Sequence, residues 1–510
     1  MSDLCNTRRS AGVPYLFSAI ACADSATSKS KLLLKQIIAT LFPIAAQNES
    51  PDISCHARNI LRMIFRESAI GEDTLLWAEE ALIFCISGFG DKSWALRNTS
   101  AMLYATLCSR IFGVKKSAGL EDEEKISSSE FFNRFPILEA FLLQIVELGA
   151  QDQIDKKGLN TMLLPALLII QRLIPTGASN NEARFQASLL QLVQSKVWKC
   201  RMVAARCIYA LNNRPPKFII AEVMTRLASD SSSNQNSIHG LLLVLEKFRN
   251  SDEIREEKNL KTLIELLPKS TFASVAVAIK ILTKSPQPEL KLYMRKMISS
   301  TTENQAEYEV FAAWAEYCLE NELIEEILFA LRQLENRPNA ARAMIISIDD
   351  RDRPGLIGHF QNEFHRLVED IIFSDSEDET LVAAVSIYTK YATADWRTRT
   401  DSDWSKLIKQ KMEVVTNPEF VGFLLEIAAN FEMEFELGPW LVKGSSAEQH
   451  FAMRMSCALV CSSLIQKRKV RSAQVIQASY VLLVDEDDEV RLPLIECFNE
   501  ELREILPQLE

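Results

Sequence analysis

Arg8 and Arg9 are the residues of this 510-residue chain whose type and setting point most directly to binding chemistry. They stand in the run Thr7-Arg8-Arg9-Ser10-Ala11-Gly12-Val13-Pro14. Each guanidinium is a planar fork that matches phosphate or carboxylate oxygens. Gly12 and Pro14 disfavour helix interior. The run therefore suits a helix end whose backbone comes close to something else, with two guanidiniums aimed outward. A second basic cluster, Lys467-Arg468-Lys469-Val470-Arg471, could touch RNA phosphates. In an acidic region such a run reads first as a solvated helix end.

Other chemistry is sought and not found. The five histidines, His56, His239, His359, His365 and His450, do not cluster with acids and cysteines at ligand spacing. Cys457 and Cys461 share a helix face, but no second pair completes a zinc site, so they read as core thiols. Gly88-Phe89-Gly90 lacks the third glycine and the preceding strand of a dinucleotide or S-adenosylmethionine loop. No Ser, His and acid arrangement stands out, and Asp349-Asp350-Arg351-Asp352-Arg353-Pro354 reads as a solvated loop. The expectation is a protein with no catalytic residues, no metal site and no cofactor of its own.

Composition narrows the class. Hydrophobic residues make up 47% of the chain with only 15 Gly and 17 Pro, which predicts a folded, helix-rich, loop-poor protein. The length exceeds one compact core. Met162–Pro175 is the most apolar run, but two prolines, Gln171 and Arg172 interrupt it short of bilayer length. The N-terminus does not read as a signal peptide. Eleven cysteines without framework spacing suit reduced thiols and a cytoplasmic location. The net charge of −11 argues against general nucleic-acid binding, and it is uneven. Residues 1–120 carry 13 Lys and Arg against 10 Asp and Glu, whereas residues 121–510 carry 44 against 58. A polyanion contact is therefore expected near the N-terminus.

These residues need elements to hold them. A polar turn, then an apolar or aromatic residue, then Arg on a helix recurs at Arg58, Arg97, Arg201, Arg454 and Arg491. Intervals near 40 residues predict helical hairpins of HEAT or armadillo type stacked into an all-α solenoid. Val197, Cys200, Ala204, Cys207 and Leu211 fall on one helical stripe, as do Leu96, Ser100, Leu103 and Leu107. Ser50-Pro51-Asp52 should start a helix, and Asn212–Pro216 should stop one. The five arginines are expected to bond carbonyls or acids of neighbouring repeats. Trp94 and Trp198 could stack a base, although interhelical packing is the first expectation. His239 and Gly240 should form a helix-packing contact. Lys115–Ser129 reads as a polar insertion forming a mobile loop, and Ser229–Asn236 as a second polar loop. A boundary near residue 248 separates residues 1–248 from 249–510.

The motifs resemble those of the THADA (thyroid adenoma-associated protein) family. Thr7–Pro14 is similar to its arginine-arginine-serine-alanine-glycine signature. Asp91–Ser100 resembles its tryptophan-alanine-valine-arginine-asparagine segment, running on to Arg110–Lys115. Glu130–Pro136, Val197–Arg206 and Asn236–Leu242 resemble three further blocks in the same order. Family members are much longer, so the chain resembles the end of the conserved central domain plus the C-terminal helical region. Met1 would then begin a short form, a split gene or a truncated gene.

The resemblance implies a non-catalytic subunit that positions tRNA for 2′-O-ribose methylation of the anticodon loop. The methyltransferase would be a separate partner, and S-adenosylmethionine would belong to it. Arg8, Arg9, Ser10, Gly12, Pro14, Trp94, Arg97 and Asn98 are the expected tRNA- or partner-binding residues. Lys467, Arg468, Lys469 and Arg471 are a further RNA-contact set. The alternative is an RNA-independent protein-interaction scaffold, since animal members are also linked to calcium handling and energy storage. No membrane insertion is expected.

Overall fold

The computed structural model describes residues 12–27, 30–46, 50–113, 126–151, 159–174, 181–229, 234–299, 308–333, 338–350, 363–373, 378–391, 399–414, 417–430, 437–466 and 473–505. The all-α expectation holds. Among the described residues the only strands are Ile126–Ser127 and Leu173–Ile174, which pair in parallel. The chain divides into two compact units, Met1–Val277 and Ala278–Glu510.

In the first unit helices alternate between two layers. One layer holds Val13–Thr27, Pro51–Arg66, Trp94–Phe112, Leu159–Ile170, Trp198–Leu211 and Gln235–Lys247. The other holds Leu32–Ala46, Ala78–Gly88, Pro136–Ala150, Glu182–Leu192 and Pro216–Ser229. Helix starts follow the expected punctuation. Pro51 opens one helix behind Ser50, and the next helix after Leu211 opens at Pro216. Both apolar stripes are buried except at Val197, which is exposed.

Helices of the first layer run parallel, as named contacts at both ends show. Arg58 Nη1 donates to Leu96 O and Ser100 Oγ at 2.8 Å. Farther along the same pair, Arg110 donates to Phe65 O and Glu67 O at 3.1 and 2.7 Å. Tyr104 Oη donates to Pro165 O at 2.8 Å, and Arg172 lies 5.2 Å over the Phe112 ring. Cys207 Sγ donates to Leu167 O at 3.2 Å. Arg201 then meets His239, and Tyr209 meets Phe248. The first helix joins this set in the same sense. Ser25 near its C-terminus donates to Asp73 Oδ2 at 2.8 Å, beyond the C-terminal end of Pro51–Arg66. All these N-termini therefore share one edge of the unit.

The second unit repeats the scheme with Tyr308–Glu320, Pro338–Asp350, Asp378–Tyr391, Pro418–Asn430, Phe451–Gln466 and Asp488–Ile505 in sequential contact. Glu326, about 1% exposed, is clamped there by Arg295 at 2.7 and 2.8 Å and by Lys291 at 2.6 Å. Burial raises its pKa, but the hydrogen bonds from Arg295 and Lys291 outweigh burial and hold it below the ordinary 4.5.

Two expected loops need correction. Of the insertion Lys115–Ser129, residues 115–125 lie outside the described residues, but Ile126–Ser129 are ordered by partners distant in sequence. Ile126 and Ser127 pair with Leu173 and Ile174, and Ser128 Oγ donates to the buried Glu182 at 2.9 Å. Of Ser229–Asn236, residues 230–233 lie outside the described residues, while Asn234 caps Gln235–Lys247 by accepting from Asn236 N and Ser237 N at 3.1 and 3.3 Å. Of Asp349–Pro354, Asp349 and Asp350 end a helix, Asp349 accepts from Ser386 Oγ at 2.8 Å, and residues 351–354 lie outside the described residues.

Candidate functional site

Two tips on the shared edge are built alike. They read Lys92-Ser93-Trp94-Ala95-Leu96-Arg97 and Lys196-Val197-Trp198-Lys199-Cys200-Arg201. In each, Trp is the first residue of its helix. Arg97 Nη1 folds back to donate to Asp91 O and Lys92 O at 2.9 and 2.8 Å. Arg201 Nη1 does the same to Ser195 O and Lys196 O at 2.6 and 3.2 Å. The side chains of Asp91 and Ser195 accept from Ser93 N and Val197 N at 2.8 and 3.2 Å, closing the same turn twice. Each guanidinium thus satisfies loop carbonyls that no helix ladder reaches.

The locked turns leave the rings outside. Trp94 is 70% exposed and Trp198 50% exposed, so the interhelical packing expected of them is not found. The reason is position: the first residue of a helix lies beyond the turn that faces the neighbouring helix. Lys92, Lys196 and Lys199 are exposed beside the rings. The helices bearing the two tips flank Leu159–Ile170, which puts the rings roughly 20 Å apart at 8–10 Å per packed helix. Phe451 holds the equivalent place in the second unit, where Arg454 donates to Gln449 O at 3.2 Å.

The arginine expectation is met with a refinement. Arg58 reaches Leu96 and Ser100, and Arg201 reaches His239 Nδ1 at 3.3 Å. Arg454 pairs with Asp485 and with Asp487 at 2.9 Å. Arg97 and Arg491 instead hold their own turns, Arg491 through Asp485 O and Asp488. Asn98 lies along its helix with Nδ2 3.9 Å from Met102 Sδ. Gly12 precedes the first helix on the same edge, and a Cβ there would meet no atom of the described residues within 4 Å. Pro14 is buried in that helix's first turn. Arg8, Arg9, Ser10, Lys467, Arg468, Lys469 and Arg471 lie outside the described residues.

Reactive groups are muted. His239 is buried beside Gly240, whose missing side chain admits the Val193 carbonyl, as the packing expectation required. Burial first, and the Arg201 charge second, lower the His239 pKa to about 4. Its Nδ1 is therefore the neutral acceptor that Arg201 needs. Burial pushes the Cys461 thiol up to about 11, and Cys457 is raised as well, so neither offers a thiolate near neutrality. Among the described residues no group of three or more His, Cys, Asp or Glu could hold a metal, and no helix is long and apolar enough to cross a membrane.

The recurrence at Trp94–Arg97 and Trp198–Arg201 was legible in the sequence, but not that both arginines fold back onto their own turns and both rings face solvent. Sequence reasoning missed that residues 183–221 carry seven Lys and Arg and no Asp or Glu.

Comparisons with known proteins bear on the same segment. The family model described as THADA/TRM732, DUF2428 matches residues 1–95, and that described as Trm732, C-terminal TPR repeats matches residues 97–248. A dog protein named tRNA (32-2′-O)-methyltransferase regulator THADA is 34% identical over 265 residues, covering 48% of this chain and 13% of its own. The human protein of the same name is 31% identical over 259 residues, with the same coverage. The Schizosaccharomyces pombe regulator trm732 is 30% identical over 258 residues, covering 47% of this chain and 17% of its own. The chain thus spans a small fraction of these relatives' length. A solved chain from microtubule polymerases with tumor overexpressed gene domain arrays covers 90% of this chain and 93% of its own at 12% identity and a TM-score of 0.27, too low to bear on function. Residues 1–95 and 97–248 thus match, in order, the two models described for the THADA/Trm732 family.

Proposed function

We propose that the chain is a non-catalytic subunit supporting 2′-O-methylation of tRNA ribose 32, the reaction in its relatives' names, by a partner methyltransferase. The observation that carries this is the shared edge. In the segment that matches the regulators, folding places Gly12, Trp94 and Trp198 on one side and keeps both rings in solvent.

A small methyltransferase has little surface with which to choose a tRNA. A stacked-helix edge can hold the enzyme or the RNA so that the chosen hydroxyl reaches the methyl donor. Selection then rests on this chain, while chemistry and S-adenosylmethionine belong to the partner. Exposed indoles flanked by lysines suit unstacked bases and phosphates of a loop. Arg8 and Arg9 precede Gly12 in sequence, and the open space at Gly12 favours a close approach by enzyme or tRNA. Among the described residues the cysteines form no disulfide and most are buried, which favours the cytoplasm as the place of work.

Affinity purification of the tagged chain from its own cells tests this. A methyltransferase and tRNA should copurify, and the Trp94→Ala/Trp198→Ala variant should lose at least one of them. Copurification of neither would replace this reading with an RNA-independent scaffold.

A further inference from the structure

The opposite edge of the first unit carries a cleft that neither the family match nor the relatives' names assign. It opens among the C-terminal ends of Leu159–Ile170, Trp198–Leu211 and Gln235–Lys247 and has a volume of about 480 Å³. That is within the usual range for small-ligand sites. Tyr209 and Trp198 stand at the two ends of one helix, roughly 16 Å apart at 1.5 Å per residue. The cleft is therefore distinct from the Trp edge.

Its lining combines one presented ring with unopposed positive charge. Tyr209 is 47% exposed, yet its ring is held edge-on by the buried Phe248 at 5.1 Å and 68°. Among the described residues, Arg214 and Lys247 are the charged ones that line it, and no Asp or Glu does. Asn212 Nδ2 donates to Arg214 O at 2.8 Å and fixes the turn that carries Arg214. The surroundings continue the pattern: Lys217 lies 5.2 Å over Phe218, itself 54% exposed. Arg214 and Lys217 are the cationic members of the acid-free run 183–221 that lie at this edge, within a molecule of net charge −11.

We infer that this cleft binds an unpaired nucleotide of an RNA chain, its base stacked on Tyr209 and its phosphates paired with Arg214 and Lys247. A fixed aromatic face calls for a planar partner, and two cations without a carboxylate call for an anion. A nucleotide supplies both in one unit. Bases inside a duplex are already stacked, so a loop or single strand is the matching form. The inference rests on the tRNA reading above and adds a second contact point to it.

The test is filter binding of the full chain to a tRNA transcript, a single-stranded oligoribonucleotide, the same sequence as a duplex, and adenosine monophosphate. The single strand should bind more tightly than the duplex. Tyr209→Ala should weaken single-strand and tRNA binding by about 5- to 150-fold, from the usual range for one stacked base. Tyr209→Trp should restore it. Arg214→Gln/Lys247→Gln should lower the slope of log affinity against log salt by about 1.4, at about 0.7 per phosphate contact. Arg214 is exposed, so its replacement keeps the test valid if Tyr209→Ala disturbs folding.

Wild-type binding by all variants, equal binding of duplex and single strand, or uptake of the mononucleotide but not RNA would each overturn the inference. Ribose-methylation mapping after deletion of the gene separates the two claims. Methylation lost on deletion but RNA affinity unchanged in the cleft variants removes the cleft alone. Weakened variants with methylation intact on deletion would remove the function and leave the cleft.

Discussion

Arg201 and Trp198 sit three residues apart and do opposite things. The guanidinium turns inward to the Ser195 and Lys196 carbonyls and to His239, while the indole turns outward. Arg201→Met should therefore cost about 1–3 kcal/mol, because it strands the buried His239 acceptor, and thermal melting would show it. Trp198→Ala and Trp94→Ala should change stability by no more than about 0.5 kcal/mol, as exposed positions do. They should nevertheless lose partner or tRNA retention. Replacing Arg8 and Arg9 together by Ala should follow the tryptophans, with the fold intact and anticodon-loop methylation lost. Early melting with full methylation would make those arginines structural.

His239 gives a pH signature at the same scale. Its folded pKa, about 4, lies below the ordinary 6.5. Between those values the unfolded chain binds a proton that the folded chain refuses. Stability should therefore fall as pH drops from 6.5 to 4 and level off below. The loss attributable to this group is about 1–2 kcal/mol after allowing for solvent screening. Denaturant melts of the native chain and of His239→Gln across that range check it, since the variant should lack this component.

At the scale of elements, the sequence announced helices clearly and their surfaces poorly. The stripes through Leu103 and Cys207 repeat every three or four residues, and burial follows them. Which aromatic belongs to the core was not legible for Trp94 and Trp198. Hydrophobicity alone cannot tell the first helical residue from one a turn later. Nor could the insertion after Gly113 reveal that Ile126 and Ser127 pair with Leu173 and Ile174, because that contact spans other helices.

Close approach between elements makes its own prediction. A methyl group at Gly240 would overlap the Val193 carbonyl, so Gly240→Ala should destabilise the first unit by several kcal/mol. Gly12→Ala meets no atom of the described residues within 4 Å and should leave stability unchanged. In the second unit, Glu326 stays ionised below its ordinary pKa of 4.5. Its contribution is complete above that value and is lost as pH falls through the lower folded pKa. Glu326→Gln should lower the melting temperature at pH 7 and remove that acid-side loss.

At the scale of the whole molecule, charge was legible in sign but not in place. The count over residues 1–120 pointed to the N-terminal part. The longest acid-free run instead lies at residues 183–221, inside residues 121–510, whose total is negative. Summing over long windows hid it, and only the helix order shows that it brings Trp198 to one edge and Tyr209 to the other. The most direct measurement is a map of ribose methylation at tRNA position 32 in cells lacking the gene, re-expressing either the native chain or Trp94→Ala/Trp198→Ala. Methylation should be absent without the chain, return with the native form and stay low with the variant at equal protein level. Methylation that persists in the deletion, or that the variant restores in full, would contradict the proposed role.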